Sequence, residues 1–100
     1  MLNEELIRKF KKNSIFVNTS RGELVDESAI INSMKAGKLS AIGVDVLQNE
    51  PKLTESPIWN YAKENKNVII TPHIGGFCPE AVELVVNYSC DRILTYFGFK

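Results

Sequence analysis

The chain has 100 residues, which is enough for one domain of ordinary core size and too short for a two-domain enzyme. Its twelve acidic and twelve basic residues cancel to a formal net charge of zero, and the basic residues are scattered outside the first predicted helix, so nucleic acid binding is not expected. No apolar run is long enough to span a bilayer and no segment has the pattern of a signal peptide, so we expect a cytoplasmic protein without a membrane anchor.

A capped helix and a short strand begin the chain. Asn3 is a good capping residue for a helix that we expect to run to about Lys12, and Leu2 and Ile7 have the spacing of a hydrophobic staple. The apolar run at residues 15–17 is of the kind found in strands that are buried on both faces.

The second helix is the clearest element of the pattern. Asp26 is placed to cap it, and we expect it to extend to about Ala36, with Gly37 as the residue that ends it. Glu23 and Glu27 are interpreted as exposed acidic residues that suit a helix N-terminus.

The rest of the chain alternates strands with helical segments. Residues 39–46 and 67–70 are predicted strands, residues 58–65 permit a short helix, and Pro79 suits the first turn of a last helix that runs to about Phe97. Strands joined by helical connections form parallel sheets with right-handed crossovers. We therefore expect an α/β fold with about three parallel strands and flanking helices.

Polar residues follow the predicted strand ends. Arg21 comes after the first strand, Asp45 and Glu50 after the second, and His73 after the third. Because ligands of open parallel sheets bind outside the carboxyl ends of the strands, these four side chains are a candidate site. Taken singly, each has an ordinary structural reading as a capping, turn or surface-loop residue.

Three strings carry these residues, namely NTSRGELVDE, DVLQNEP and ITPHIGG. In their order and spacing they resemble the D-isomer-specific 2-hydroxyacid dehydrogenases, and the resemblance covers essentially the whole chain. It implies an NAD-dependent oxidoreductase that reduces 2-keto acids, and a fold equal to the second half of a Rossmann-like doubly wound parallel sheet. It also implies that residues 1–76 are part of the NAD-binding domain and that residues 77–100 are a C-terminal helix that packs on the substrate domain in relatives.

The resemblance assigns a role to each catalytic candidate. Arg21 matches the catalytic arginine, whose planar guanidinium suits a substrate carboxylate. His73 matches the general acid/base, because imidazole titrates near neutral pH and can exchange a proton in either direction. Glu50 matches the acid that pairs with this histidine and fixes the tautomer of its ring.

The cofactor implied by the resemblance is NAD, and the sequence leaves NADP open. The segments that match the nicotinamide side of the family's site contain Thr19, Ser20, Arg21, Asp45, His73 and Gly75. Complete family members also have a glycine-rich dinucleotide fingerprint and a substrate domain, and the chain is expected to be a fragment without them. We therefore expect the isolated chain to be inactive and to bind no cofactor tightly, and the small 2-keto or 2-hydroxy acid substrate stays unidentified.

Two alternatives to an oxidoreductase fragment remain open. One is a non-catalytic, cofactor-sensing binding module similar to the corepressor-like branch of the family. The other is a structural remnant that only assembles. Retention of the Arg, Glu and His set favours the oxidoreductase ancestry but does not separate the branches.

The last helix is expected to need a partner. Its apolar residues lie around much of its circumference, so we predict that the chain self-associates as a homo-oligomer. Cys78 stands where relatives commonly place a capping threonine, which predicts a looser helix start. With Cys90 twelve positions later, no CxxC and a single histidine, the sequence predicts reduced thiols and no metal site.

Overall fold

Residues 1–99 are described by the computed structural model of the chain, and they form one parallel sheet with helices. The strands are β1 (Ser14–Asn18), β2 (Leu39–Val44) and β3 (Val68–Ile70), in the spatial order β1-β2-β3. The helices are α1 (Glu4–Arg8), α2 (Glu27–Lys35), α3 (Pro57–Ala62) and α4 (Pro79–Tyr96), with short 3-10 turns at Gly22–Leu24 and Leu53–Glu55. The predicted α/β class and the three parallel strands are confirmed.

The register of the sheet aligns the three strand ends. Asn18 at the end of β1 pairs with Val44 at the end of β2, and Val44 pairs with Ile70 at the end of β3. Parallel strands place their carboxyl ends at one edge, where ligands of open α/β sheets bind. The residues that follow all three strands therefore meet at this edge.

Helix α1 is shorter than predicted. Asn3 caps it as expected, since its Oδ1 accepts the N–H of Leu6 at 3.1 Å. The helix ends at Arg8, however, and not near Lys12. The reason is a tightened last turn followed by Asn13, whose φ of +65° turns the chain back towards β1.

Helix α2 has the predicted caps. Asp26 Oδ1 accepts the N–H of Ala29 at 3.0 Å, Ala36 is the last residue before the chain leaves the helix, and Gly37 follows with a φ of +71°. A positive φ is accessible to glycine without a Cβ clash, which explains why the helix ends here. The later elements were predicted in the right order and differ from their observed bounds by a few residues at their ends.

The core lies on one face of the sheet only. Ile7 from α1, Ile30 from α2 and Ile58 from α3 pack with Phe16 and Ile42 of the strands, and all five are buried. The opposite face is open among the described residues. There, the side chains of three apolar strand residues are largely exposed: Ile15 68%, Val17 64% and Ile69 70%.

This open face corrects the prediction that the first strand is buried on both sides. Helices α1, α2 and α3 all cover the same face, so alternate strand residues point away from the core. The apolar, partly β-branched composition of the strand is typical of strands that are covered on both faces. Within residues 1–99, only one of its faces is covered.

Helix α4 leaves the body of the domain. None of its residues is buried, and its exposed side chains include Leu84 at 70%, Val85 at 63% and Tyr88 at 65%. Between residues 1 and 99 we find no helix with both the length and the apolar character needed to cross a membrane.

Candidate active site

The turn after β1 is held by a buried asparagine. Asn18 Oδ1 accepts the N–H of Ser20 at 3.0 Å, and Asn18 Nδ2 donates to the carbonyl oxygen of Arg21 at 3.0 Å. The exposed Arg21 side chain donates through Nη1 to the Ser20 carbonyl oxygen at 2.7 Å. Within residues 1–99 its guanidinium forms no ion pair, so its charge is available to an anion.

Asp45 organises the loop that carries His73. Its Oδ1 accepts the Thr71 hydroxyl at 2.5 Å and the Ile74 N–H at 2.9 Å, while its Oδ2 accepts the Gly75 N–H at 2.7 Å. These bonds stabilise the ionised form and lower the pKa of Asp45 below its ordinary value. The Thr71 hydroxyl has the largest effect, followed by the two backbone N–H groups. The segment from Thr71 to Gly75 is thereby fixed to the end of β2.

The hydrogen bonds of Asp45 leave limited acceptor capacity. A carboxylate offers about four lone-pair positions, and Asp45 uses three of them within the chain. Gly75 comes so close that a Cβ on it would lie 3.0 Å from Asp45 Oδ2. Oδ2 therefore keeps one acceptor position, and the contact of Asp45 with a cofactor stays a prediction.

Glu50 and His73 form a direct pair. Glu50 Oε2 lies 2.6 Å from His73 Nδ1, and Glu50 Oε1 accepts the N–H of Leu47 at 2.7 Å. The hydrogen bond with His73, followed by that with Leu47, lowers the pKa of Glu50. Because Nδ1 is engaged by the carboxylate, the other ring nitrogen of His73, Nε2, is the one available to exchange a proton with a bound molecule.

Two hollows meet at Asp45 and His73. One, of about 380 Å³, is also lined by Thr19, Arg21, Gly76 and Phe77. The other, of about 370 Å³, is lined by Glu50, Trp59 and neighbouring residues of the loops around them. Small-molecule sites begin at about 300 Å³, so each hollow has room for a small ligand or part of a larger one.

The hollows show which predicted site residues come together. Arg21 and His73 line the first, and Glu50 and His73 line the second. Of the predicted cofactor residues, Ser20 and Gly75 do not line the first hollow. Their backbone N–H groups instead donate to the side chains of Asn18 and Asp45, which hold the two loops beside the hollow.

Glu27 is not the exposed helix-terminal charge that the sequence predicts. Only 1% of the residue is exposed, whereas Glu23 is exposed as expected. Its carboxylate accepts the Gln48 N–H at 2.6 Å, the Ser56 hydroxyl at 2.6 Å and the Ile58 N–H at 3.2 Å. The prediction was wrong because these donors lie 21 to 31 positions away in the chain.

Asn18 and Gly22 were also missed by the sequence reasoning. A Cβ on Gly22 would lie 2.2 Å from the carbonyl carbon of Leu47 and 2.5 Å from the nitrogen of Gln48. The Arg-Gly pair therefore needs glycine for a close backbone approach. Asn18, a polar residue at the end of an apolar strand, was the available signal for a side chain that organises a turn.

No group of three or more His, Cys, Asp or Glu side chains that could hold a metal ion occurs in the part of the chain that the structure describes. Cys78 and Cys90 are both exposed and unpaired. Cys78 makes no side-chain hydrogen bond at the start of α4, as its poor capping chemistry predicts.

A parallel α/β sheet with an arginine, a carboxylate and an imidazole at the carboxyl edge is the architecture of a Rossmann-like dehydrogenase domain. Comparison with known proteins identifies the family. The sequence model of the NAD-binding domain of D-isomer specific 2-hydroxyacid dehydrogenases matches residues 1–75. The chain belongs to this family.

Similar proteins include named reductases. The chain is 43% identical over 94 residues to glyoxylate/hydroxypyruvate reductase B of Cronobacter sakazakii, which is 94% of this chain and 28% of that protein. It is 39% identical over 96 residues to glyoxylate reductase of Thermococcus litoralis, which is 96% of this chain and again 28% of the relative. The chain thus spans less than a third of the length of either enzyme.

Solved structures show the same fold. D-2-hydroxyisocaproate dehydrogenase superposes with a TM-score of 0.73 at 27% identity, covering 95% of this chain and 32% of that one. A D-isomer specific 2-hydroxyacid dehydrogenase of Xanthobacter autotrophicus, solved with NADPH and MES, has a TM-score of 0.63 at 33% identity and covers 73% of this chain and 22% of its own. The Rossmann-like character of the sheet is confirmed.

Proposed function

We propose that the chain carries the catalytic residues of an NAD(P)-dependent oxidoreductase that acts on the CH–OH group of D-2-hydroxy acids. Arg21, Glu50 and His73 are the residues that we assign to this chemistry. The observation that supports the proposal most directly is the 2.6 Å contact between Glu50 and His73 beside a hollow that Arg21 also lines. The relatives named as glyoxylate and hydroxypyruvate reductases support the substrate class.

Arg21 would bind the substrate carboxylate. Its guanidinium is exposed, has no ion-pair partner among residues 1–99 and faces the hollow that His73 also lines. The planar fork of a guanidinium matches the two oxygens of a carboxylate, and its charge polarises the neighbouring carbonyl group. The keto carbon is thereby made more electrophilic.

His73 would supply the proton of the reaction. During reduction, Nε2 gives its proton to the keto oxygen while that oxygen becomes a hydroxyl group, and in the reverse direction Nε2 takes the proton back. Glu50 keeps Nδ1 protonated and stabilises the positive charge that the ring holds before it donates. One hydride and one proton are consumed for each keto acid reduced.

NAD(P)H, when bound, supplies the hydride. The residues of this chain fit the nicotinamide end of such a cofactor, because Asp45 retains an acceptor position for a carboxamide N–H and Thr19 lines the same hollow. Ser20 and Gly75 shape the two loops beside it. Relatives have been solved with NAD and with NADPH, and no residue assigned to the site selects between them.

The isolated chain is expected to bind the cofactor weakly and to lack turnover. Its six glycines do not form the GxGxxG spacing that holds a pyrophosphate, and the chain covers 28% of the length of the reductase from C. sakazakii. The dinucleotide and substrate contacts of a complete enzyme therefore require further polypeptide.

A segment exchange tests the catalytic assignment. The matched segment of the C. sakazakii reductase is replaced by this chain, and NADH oxidation is measured with glyoxylate and hydroxypyruvate. We expect turnover, and we expect Arg21→Ala and His73→Gln to reduce kcat/KM by about a hundredfold to ten-thousandfold, whereas the exposed Glu23→Gln serves as the control. Equal activity of all four hybrids would refute the assignment.

The same hybrid protein distinguishes the proposed oxidoreductase from the two alternatives, a cofactor-sensing module and a structural remnant. Cofactor binding by the hybrid without any turnover would favour the cofactor-sensing module, and absence of both binding and turnover in a folded hybrid would favour the structural remnant.

We also propose that the chain alone self-associates through α4. This helix has 18 residues, none of them buried, with apolar side chains on several sides. Burying a Leu or Val side chain contributes about 1.5 to 3 kcal/mol, so exposure of many of them favours association. In a longer polypeptide, we propose that residues 77–99 pack on a substrate domain, as the family resemblance implies; Lys100, the last residue of the predicted segment, lies outside the described residues.

A further inference from the structure

We infer that Glu27 is a positioning residue that holds Glu50 in place for its contact with His73. The inference rests on the proposed function for its catalytic meaning, although its geometry stands by itself. Glu27 lies at the first position of α2, far in sequence from the Glu50 loop, yet 1% of it is exposed. A buried carboxylate is costly unless donors surround it, so its partners identify what it does.

The three partners of Glu27 belong to the Glu50 loop and to the start of the helix after it. Glu27 Oε1 accepts the backbone N–H of Gln48 at 2.6 Å, and Oε2 accepts the hydroxyl of Ser56 at 2.6 Å and the N–H of Ile58 at 3.2 Å. One oxygen therefore serves the loop and the other serves the start of α3. Glu27 connects α2 to both ends of the segment between β2 and α3.

The Glu50 loop is held by two carboxylates on successive backbone groups. The N–H of Leu47 donates to Glu50 at 2.7 Å, and the next N–H, that of Gln48, donates to Glu27 at 2.6 Å. The first bond fixes the Glu50 side chain to its own turn, and the second fixes that turn to α2. Glu27 thus anchors the backbone at Gln48, two residues before Glu50, and this anchor orients the Glu50 side chain towards His73.

The substitution Glu27→Gln removes hydrogen-bond acceptors from residue 27 with little change in the volume of its side chain. Glutamine has nearly the same volume, but it offers one carbonyl oxygen and an NH₂ donor in place of two acceptors. Its carbonyl oxygen goes to the side where two donors converge, those of Ser56 and Ile58, so its NH₂ group faces the N–H of Gln48. The Gln48 N–H is then left without an acceptor.

The single histidine of the chain provides a direct spectroscopic readout. We measure the ¹⁵N resonances of the His73 ring by NMR, because the Nδ1 shift reports its hydrogen bond with Glu50. In the unsubstituted chain we expect the signature of a hydrogen-bonded Nδ1–H and a Gln48 amide that exchanges slowly with solvent. In Glu27→Gln we expect the Nδ1 signature to weaken and the Gln48 amide to exchange at least about tenfold faster.

Ser56→Ala is the matched control. It removes one donor to Glu27 and the side-chain cap of α3, since Ser56 Oγ also accepts the Trp59 N–H at 3.1 Å, but it leaves the Gln48 bond in place. It should lower the stability of the domain without changing the His73 signature. Equal changes of the His73 signature in both variants would show a general structural role and overturn the inference.

Two further outcomes are decisive. If Glu27→Gln does not fold, the Gln48 amide of the unsubstituted chain decides, because fast exchange there would exclude the anchor and slow exchange would support it. These measurements need no cofactor and no turnover. A failed segment exchange would therefore refute the proposed function and leave the positioning of Glu50 by Glu27 intact. Conversely, an unchanged His73 signature in Glu27→Gln would refute the positioning and leave the proposed function intact.

Discussion

Gly22 and Leu47 meet backbone against backbone. A Cβ on Gly22 would lie 2.2 Å from both the carbonyl carbon and the carbonyl oxygen of Leu47, a distance that no side-chain carbon can occupy. Gly22 follows Arg21 directly, and the N–H of Leu47 donates to Glu50. This approach therefore sets the spacing between the turn that carries the arginine and the turn that carries the carboxylate.

Gly22→Ala is expected to destabilise the domain, because the added methyl group must push the Leu47 backbone away. Overpacking of this kind costs about 1 to 3 kcal/mol, and displaced backbone lies at the upper end of that range. Urea unfolding followed by circular dichroism measures the change. Gly76→Ala is the control, since nothing lies within 4 Å of its added carbon and its φ is not in the left-handed region. Equal midpoints for the two variants would contradict the close approach.

The chain is expected to lose stability in acid through Glu50 and Asp45. Hydrogen bonds lower the folded-state pKa of Glu50 below 4.5 and that of Asp45 below 3.8, their ordinary values. A carboxyl group whose pKa is lower in the folded state stabilises the fold above its unfolded pKa, and this contribution disappears as the pH falls through the folded pKa. The contribution of these two groups to the free energy of unfolding should therefore be constant above about pH 5 and should decrease as the pH is lowered further.

Glu50→Gln tests this pH dependence, because it removes one of the two titrating groups. The variant should show a shallower decline of unfolding free energy in acid than the unsubstituted chain. Denaturant titrations between about pH 2 and pH 7 provide the comparison. A decline of the same steepness would mean that the pair with His73 does not lower the pKa of Glu50 in solution.

Thr71→Val is expected to raise the pKa of Asp45 towards its ordinary value. The Thr71 hydroxyl is the largest contributor to the lowered pKa, and valine keeps the side-chain shape without the donor. The carboxyl carbon of Asp45, followed by ¹³C NMR against pH, reports the titration directly. Thr54→Val, at an exposed position, should leave the Asp45 titration unchanged.

Cys78→Ser should stabilise the start of α4. Cys78 has the extended backbone of a cap, with φ −119° and ψ 145°, but its side chain makes no capping hydrogen bond. A serine hydroxyl can accept from the second or third N–H of the helix, which typically contributes about 1 kcal/mol. Amide exchange at Glu80 and Ala81 should slow, whereas Cys90→Ser within the same helix should leave these amides unaffected.

Self-association should depend on α4. Leu84→Glu together with Val85→Glu places two charges on a helix whose apolar residues are exposed, so the mass measured by light scattering should fall to that of the monomer. Ile69→Glu places a charge on the open face of the sheet and serves as the comparison, since Ile69 is as exposed as Leu84. Dissociation by Ile69→Glu alone would place the contact on the sheet instead.

Local signals in the sequence predicted most elements of the fold. Asp26 and Gly37 bound α2 because a cap and a left-handed residue act within a few positions, and the structure confirms both. The end of α1 was missed because the tightened turn before Asn13 has no strong local signal. The one-sided core was missed because a β-branched strand has the same composition whether one face or both faces are covered.

The sequence by itself determined the order of elements, the family and the edge of the sheet at which Arg21, Glu50 and His73 collect, because strand ends and helix caps depend on near neighbours in the chain. Only the tertiary structure decided that Glu27 is buried and that Asp45 spends most of its acceptor capacity on the His73 loop. The donors to both carboxylates lie more than twenty positions away, and hydrogen-bond partners at that separation are selected by the packing of the chain.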